Sequence, residues 1–100
     1  MQNLPGQDAF QGQLNNVFQL SFLPGQVLDV RLVELRGGRP DPRMEQFSLL
    51  FQGPHQPLLS QQIYHLRQED IGEMDLFLVP VGRDAGGAYY EAVFNRVKAG

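Results

Sequence analysis

Two histidines, His55 and His65, are the main candidates for acid–base chemistry, because the chain contains no cysteine and no other imidazole. His55 lies between prolines in the stretch GPHQP, which is typical of a surface loop. A serine triad could be drawn from Ser48, His65 and Asp70, or with Ser60 as the serine. Since any small protein offers such a combination, the sequence predicts that this one is not an enzyme and that neither histidine carries function.

The spacing of the histidines, carboxylates and glycines does not match that of known metal or phosphate sites. The histidines lack the HxxxH or CxxC spacing of zinc sites. Glu69, Asp70 and Glu73 gather around one turn, where carboxylates ordinarily solvate the chain. The glycine-rich stretch 82–87 is followed by AYYEAVF, which has the alternation and aromatic content of a strand, whereas a phosphate loop leads into a helix. We therefore expect no cofactor and no metal.

The tyrosines leave a second type of function open. Tyr64, Tyr89 and Tyr90 could stack on a sugar, although aromatic residues in strands more often pack against neighbours. Glutamine is abundant in the first two thirds of the chain and could supply hydrogen bonds. A small β-barrel that binds a sugar or a peptide is therefore the alternative to a protein-binding module.

Composition and charge restrict the partners. The net charge is −3 with a pI near 5.2, and the arginines are scattered, so no nucleic-acid footprint is indicated. No apolar run approaches the ~18 residues that span a bilayer, and we expect no membrane insertion. The start, MQNLPGQDAF, has neither a basic nor an apolar export region. The expected location is cytoplasmic as synthesised.

Short strands must position all of these side chains. Apolar residues recur at every second position in blocks separated by glycine and proline, which predicts antiparallel strands. Asp8 could cap a short helix that runs through Phe10 and Leu14 for about two turns. The prediction is a mainly all-β fold, a compact antiparallel six-stranded barrel or sandwich with a short N-terminal helix. We expect one domain over residues 1–100 with a core over about 10–97, and strands near residues 17–22, 27–35, 47–51, 61–66, 74–81 and 88–97.

The same alternation predicts the hydrophobic core. Its expected members are one face of each early strand, one face of the third strand and the matching face of the last two strands. They are Phe18, Leu20, Leu28, Val30, Leu32, Phe47, Leu49, Phe51, Leu76, Leu78 and Phe94.

The last hairpin carries more apolar surface than one core can use. If Val81 lies opposite Tyr89, paired residue numbers add to 170, and Leu76, Leu78, Pro80, Tyr90, Ala92 and Phe94 share the core face. The opposite face is also largely apolar, although one face of an antiparallel sheet is usually polar. Its members, the candidate interface, are Phe77, Val79, Val81, Tyr89, Glu91 and Val93. Either the N-terminal segment, through Leu4, Phe10 and Leu14, or a protein partner or second copy is expected to cover this face.

Four motifs give the chain a family resemblance. The order FSLLFQGP, QQIYHL, LFLVPVGRD and YYEAVFNR, over residues 10–97, resembles a family of small uncharacterised bacterial domains of unknown function. The resemblance transfers no catalytic residue. Because members of that family accompany phage-tail-collar-like proteins, it implies a structural or accessory subunit of a phage-tail-like or filamentous assembly. Such a subunit would bind a protein partner or form a homo-oligomer, and could leave the cell by a nonclassical route within its assembly.

Overall fold

The structure, a computed structural model, describes residues 4–38 and 41–97. It confirms a mainly β fold with six antiparallel strands and one short helix near the N-terminus. Within the described residues, no helix is long and apolar enough to cross a membrane. The elements are α1 (Gln7–Gln11), β1 (Val17–Leu23), β2 (Gln26–Gly37), β3 (Met44–Gly53), β4 (Gln62–Gln68), β5 (Gly72–Asp84) and β6 (Gly87–Val97).

The sheet closes on itself. Its strand order is β1-β2-β3-β6-β5-β4, and β1 pairs with β4 to complete a barrel, so the barrel rather than the sandwich is correct. Closure removes the open sheet edges that invite strand-to-strand aggregation. Most strands are longer than their sequence patterns indicate, since the ladders continue into the polar ends of the apolar blocks.

Inward-facing side chains fill the barrel. All the predicted core residues are buried except Leu28, which is partly buried and packs against the core. Within the predicted core face of the last hairpin, Pro80 is exposed, because the strand bulges directly after it. The structure also buries side chains outside the predicted core set, among them Phe10, Leu59, Tyr64, Leu66 and Met74.

The N-terminal segment closes one end of the barrel. Phe10 of α1 is fully buried against three rings, with centroid distances of 6.3 Å to Phe18, 6.0 Å to Phe47 and 5.4 Å to Phe94. Asp8 is not the cap: it lies in the first turn, and Gly6 precedes the helix without a side-chain cap.

Hydrogen bonds tie this segment to the strands. Arg96 of β6 donates to the backbone oxygens of Leu4 and Pro5 at 3.2 and 2.8 Å, and its Nε donates to Glu45 Oε1 at 2.8 Å. The amide of Gln7 donates to the other oxygen of Glu45 at 3.0 Å. Leu4 and Leu14 also pack against the core. Of the two covers considered for the second face of the last hairpin, the N-terminal segment is therefore wrong, since its apolar residues pack against the barrel core.

The β5–β6 hairpin contains a bulge. Val79 opposes Glu91 and Pro80 opposes Tyr90, as the predicted register requires. Beyond them the register shifts, and Gly82, rather than Val81, opposes Tyr89. The extra residue in β5 explains why the predicted Val81–Tyr89 pair is wrong, because an unbroken period of two cannot indicate a bulge.

Candidate functional site

An apolar surface lies on the outside of β4, β5 and β6. Ile63 is 66% exposed, Phe77 49%, Val81 51% and Val93 70%. Ile63 pairs directly with Phe77 across β4 and β5, so these two side chains are neighbours on one face. Together with the half-buried Val79, these residues are called the outer apolar face below.

Strand alternation places the predicted interface residues on this surface. Tyr89, Glu91 and Val93 alternate along β6 with buried Tyr90, Ala92 and Phe94, and therefore point outward. Phe77 and Val79 do the same on β5, whereas Val81 is exposed within the bulge.

Ile63 belongs to the surface but was not among the predicted residues. The stretch QQIYHL has two adjacent apolar residues, Ile63 and Tyr64, and only one of them can face inward in a strand. Tyr64 and Leu66 are buried, so Ile63 points outward. The alternation of Tyr64, Leu66 and Gln68 was the signal that could have placed it.

Glu91 is the acidic residue within this apolar surface. It is half-buried, with Leu50 of β3 on one side and Val79 of β5 on the other. Tyr89 and Val93 are its outward neighbours along β6. Among the described residues, none forms an ion pair or a side-chain hydrogen bond with its carboxylate.

A groove of about 450 Å³ borders Glu91 on the outside of β3. The last residues of β2 form one wall, and outward residues of β6 form the other. Arg36, on the β2 wall, forms an ion pair with Glu34. Gly38 lies so close to β3 that a Cβ there would be 2.7 Å from Gln46 Cβ, so a larger residue would push the wall away. The polar and apolar lining includes Arg36, Gln46, Ser48, Glu91, Val93 and Asn95.

His65 lies beside the outer apolar face with both ring nitrogens occupied. Nε2 contacts Glu73 Oε1 and Nδ1 contacts Asp75 Oδ1, each at 2.8 Å. Hydrogen bonding to Glu73 is the largest cause that raises the pKa of His65 above 6.5, and hydrogen bonding to Asp75 is the next largest. The ring is held between two carboxylates and bonds no serine, so this geometry is that of a surface ion-pair cluster.

The second histidine has a role in the β5–β6 turn. His55 Nε2 lies 2.8 Å from the backbone oxygen of Asp84 and must donate, because a carbonyl oxygen only accepts. The Asp84 carboxylate accepts from the Gly86 amide at 2.7 Å and from the Tyr89 hydroxyl at 2.9 Å. Hydrogen bonding to Asp84 raises the pKa of Tyr89. These contacts fix the turn.

The other two tyrosine hydroxyls also bond within the chain. Tyr90 accepts from the Leu59 amide at 2.9 Å, and Tyr64 donates to the Ser60 backbone oxygen at 2.6 Å. Both rings are buried in the barrel. The three tyrosines consequently do not form one stacking platform. Within the described residues, no group of three or more histidine, cysteine or acidic side chains is arranged to hold a metal ion.

Comparison with known proteins places the chain in a family. The model of a family described as "Domain of unknown function (DUF6916)" matches residues 5–94. That range takes in α1, the first five strands and most of β6. Neither the search of curated proteins nor the search of solved structures returned a match.

Proposed function

Since the chain belongs to the DUF6916 family, a domain of unknown function, we propose its function from its own surface: it is a non-enzymatic module that binds another protein through the outer apolar face. Single exposed apolar residues are common on soluble proteins, but a contiguous set is typical of an interaction site. The observation that carries the proposal is the adjacency of exposed Ile63 and Phe77, with Val93 also exposed on the same side.

The packing of the barrel supports a surface site over an interior one. Phe18, Leu20, Leu32, Phe51 and Tyr90 fill the interior and are fully buried. The alternative function, binding of a small sugar or peptide by a β-barrel, would need tyrosine side chains facing the ligand. The tyrosine hydroxyls instead bond within the chain.

We also propose that the partner belongs to a phage-tail-like or filamentous assembly, in which this protein is a structural or accessory subunit. The support is the resemblance of the four strand motifs to domains that accompany phage-tail-collar-like proteins. Nonclassical export within such an assembly would follow from this role.

Two matched variants test the binding face. Val93→Asp places a charge on the outer apolar face, whereas Val27→Asp places one at an equally apolar position of β2, which is 59% exposed. Both should fold, since neither side chain is in the core. In affinity purification from source cells with quantitative mass spectrometry, wild type and Val27→Asp should recover a common partner that Val93→Asp loses. Val79→Asp should lose it too, and remain soluble and folded.

The same experiment can contradict the proposal. Equal recovery of every protein by wild type, Val27→Asp and Val93→Asp would mean that the outer apolar face is not the binding site. Light scattering after size-exclusion chromatography identifies self-association, which Val93→Asp would abolish if a second copy covers the face.

A further inference from the structure

We infer that the partner presents a lysine or arginine flanked by apolar side chains, and that this cation pairs with Glu91. The inference rests on the proposed function, because it specifies which chemistry the outer apolar face accepts. The occupant is a segment of a different protein.

The surroundings of Glu91 point to an external cation. Its lateral neighbours, Leu50 and Val79, are apolar, and its neighbours along β6, Tyr89 and Val93, carry no positive charge. Arg36, across the groove, forms its ion pair with Glu34 rather than with Glu91. In the described part of the chain, no cation satisfies this carboxylate.

Docking would change the environment of this carboxylate. While the face is in water, Glu91 is solvated from the exposed side. A wholly apolar partner would strip that water and leave a charge without a counter-ion, which is strongly unfavourable. A partner with a correctly placed ammonium or guanidinium group replaces the lost solvation by a charge-assisted hydrogen bond. Glu91 therefore selects against apolar and acidic partners and in favour of a basic one.

Charge also argues against a second copy as the occupant. In a two-fold dimer the same patch is used by both subunits, so an axis that passes close to Glu91 would bring the two Glu91 carboxylates together. The formal net charge of −3 adds to this repulsion. A basic segment is attracted both by the Glu91 carboxylate and by the net negative charge of the chain.

The groove beside Glu91 is a path by which a cationic side chain of the partner can reach the Glu91 carboxylate. Glu91 and Val93 line both the groove and the apolar surface, so one segment can contact both. Residues at alternate positions of an extended segment point the same way and lie about 7 Å apart, the same spacing as Glu91 and Val93 on β6. An extended segment can thus place a lysine over Glu91 and an apolar side chain over Val93.

Two synthetic peptides provide the probe. One has the sequence Val-Ser-Val-Ser-Lys-Ser-Val-Ser-Val, and the other has glutamate in place of lysine. Binding to the full chain is measured by nitrogen-15 NMR titration of three proteins: wild type, Glu91→Gln and Glu69→Gln. The Glu69→Gln variant is the control. Glu69 is an exposed acid in the β4–β5 turn, so its loss changes the net charge by the same amount as loss of Glu91.

The expected result is a lysine preference that depends on Glu91. Wild type and Glu69→Gln should bind the lysine peptide about tenfold more tightly than the glutamate peptide, while Glu91→Gln should lose this preference. Glu91→Lys should reverse it. Shifts should centre on Glu91, Val93 and Phe77, and added salt should weaken the lysine peptide less for Glu91→Gln than for wild type.

Other outcomes separate this inference from the proposed function. Equal binding of both peptides, weakened by Val93→Asp, would overturn the role of Glu91 and leave the binding face intact. Binding unaffected by either Val93→Asp or Glu91→Gln would overturn both. The inference of a basic partner would be overturned if the wild-type chain bound neither peptide. It would also be overturned if the wild-type chain formed a dimer that Val93→Asp dissociates.

Discussion

Phe51 shows how much one ring contributes to this barrel. It is fully buried and meets Phe18 edge to face, with centroids 5.2 Å apart and an interplanar angle of 77°. Phe51→Ala would remove this contact and leave a cavity, so the free energy of unfolding should fall by about 3–5 kcal/mol. Urea unfolding followed by circular dichroism measures the change.

Phe77 is the matched control for that substitution. It is also a strand phenylalanine but is 49% exposed, so Phe77→Ala should cost less than about 1 kcal/mol. Similar losses for the two variants would contradict the assignment of Phe51 to the barrel interior and of Phe77 to its exterior.

His65 makes the stability of the protein depend on pH. The carboxylates of Glu73 and Asp75 raise the pKa of His65, so the folded state holds this proton more strongly than the unfolded state does. The resulting stability is complete below the unfolded pKa near 6.5 and is lost as pH rises through the higher folded pKa. The side chain is 44% exposed, so solvent keeps the effect small.

His65→Gln isolates this contribution. The free energy of unfolding of wild type should decrease, relative to that of the variant, as the pH rises above 6.5 and through the raised folded pKa of His65. Parallel pH profiles for the two proteins would mean that the carboxylates do not favour the protonated ring. An NMR titration of the His65 ring provides the folded pKa directly.

The turn of the β5–β6 hairpin requires glycine at position 87. Gly87 has φ +140°, and a Cβ at this position would collide with the backbone oxygen of Gly53 on β3. Gly87→Ala should therefore destabilise the protein by more than about 2 kcal/mol, since it combines backbone strain with a clash. The control is Gly82→Ala in the same hairpin, where a Cβ meets open space and the cost should stay below about 1 kcal/mol. Equal melting temperatures for the two variants would show that the close approach of Gly87 to β3 does not limit the residue at this position.

The alternation of apolar and polar residues along the sequence predicted most of the strands. Alternation along β1, β2, β3 and β6 sufficed to assign their inward faces, because each strand has one face in the core. It failed at Val81, where one additional residue shifts the register. It also failed for Phe10, whose ring partners lie in three distant strands that no local pattern connects to a short helix. The face carrying Phe77 and Val93 was predictable because both strands of its hairpin are adjacent in sequence. Ile63 required the β4–β5 register as well.

The whole barrel is held closed by its shortest ladder. Three residue pairs join β1 to β4, namely Gln19 with Arg67, Leu20 with Leu66 and Ser21 with His65. The ladder between β3 and β6 runs from Met44 to Gly53. Partial opening should begin where the fewest backbone contacts must separate.

Native-state hydrogen exchange tests this order. Amides that point across the β1–β4 seam should exchange through an opening of lower free energy than those in the centre of β3. Equal protection at both places would show that the barrel opens only as a unit. The comparison is internal, because both sets of amides belong to the same sample.

The bonds between Arg96 and the N-terminal segment also bear on how the chain is made. Arg96 follows Leu4 by 92 positions, yet the two are joined by a hydrogen bond. Because the ribosome synthesises the N-terminus first, Phe10 is made long before Phe94 and has no complete pocket to enter. Its ring stays unprotected on the nascent chain until β6 has been translated, a period in which aggregation or chaperone capture competes with folding. This end of the barrel can therefore close only after β6 has been made, although the segment that closes it was made much earlier.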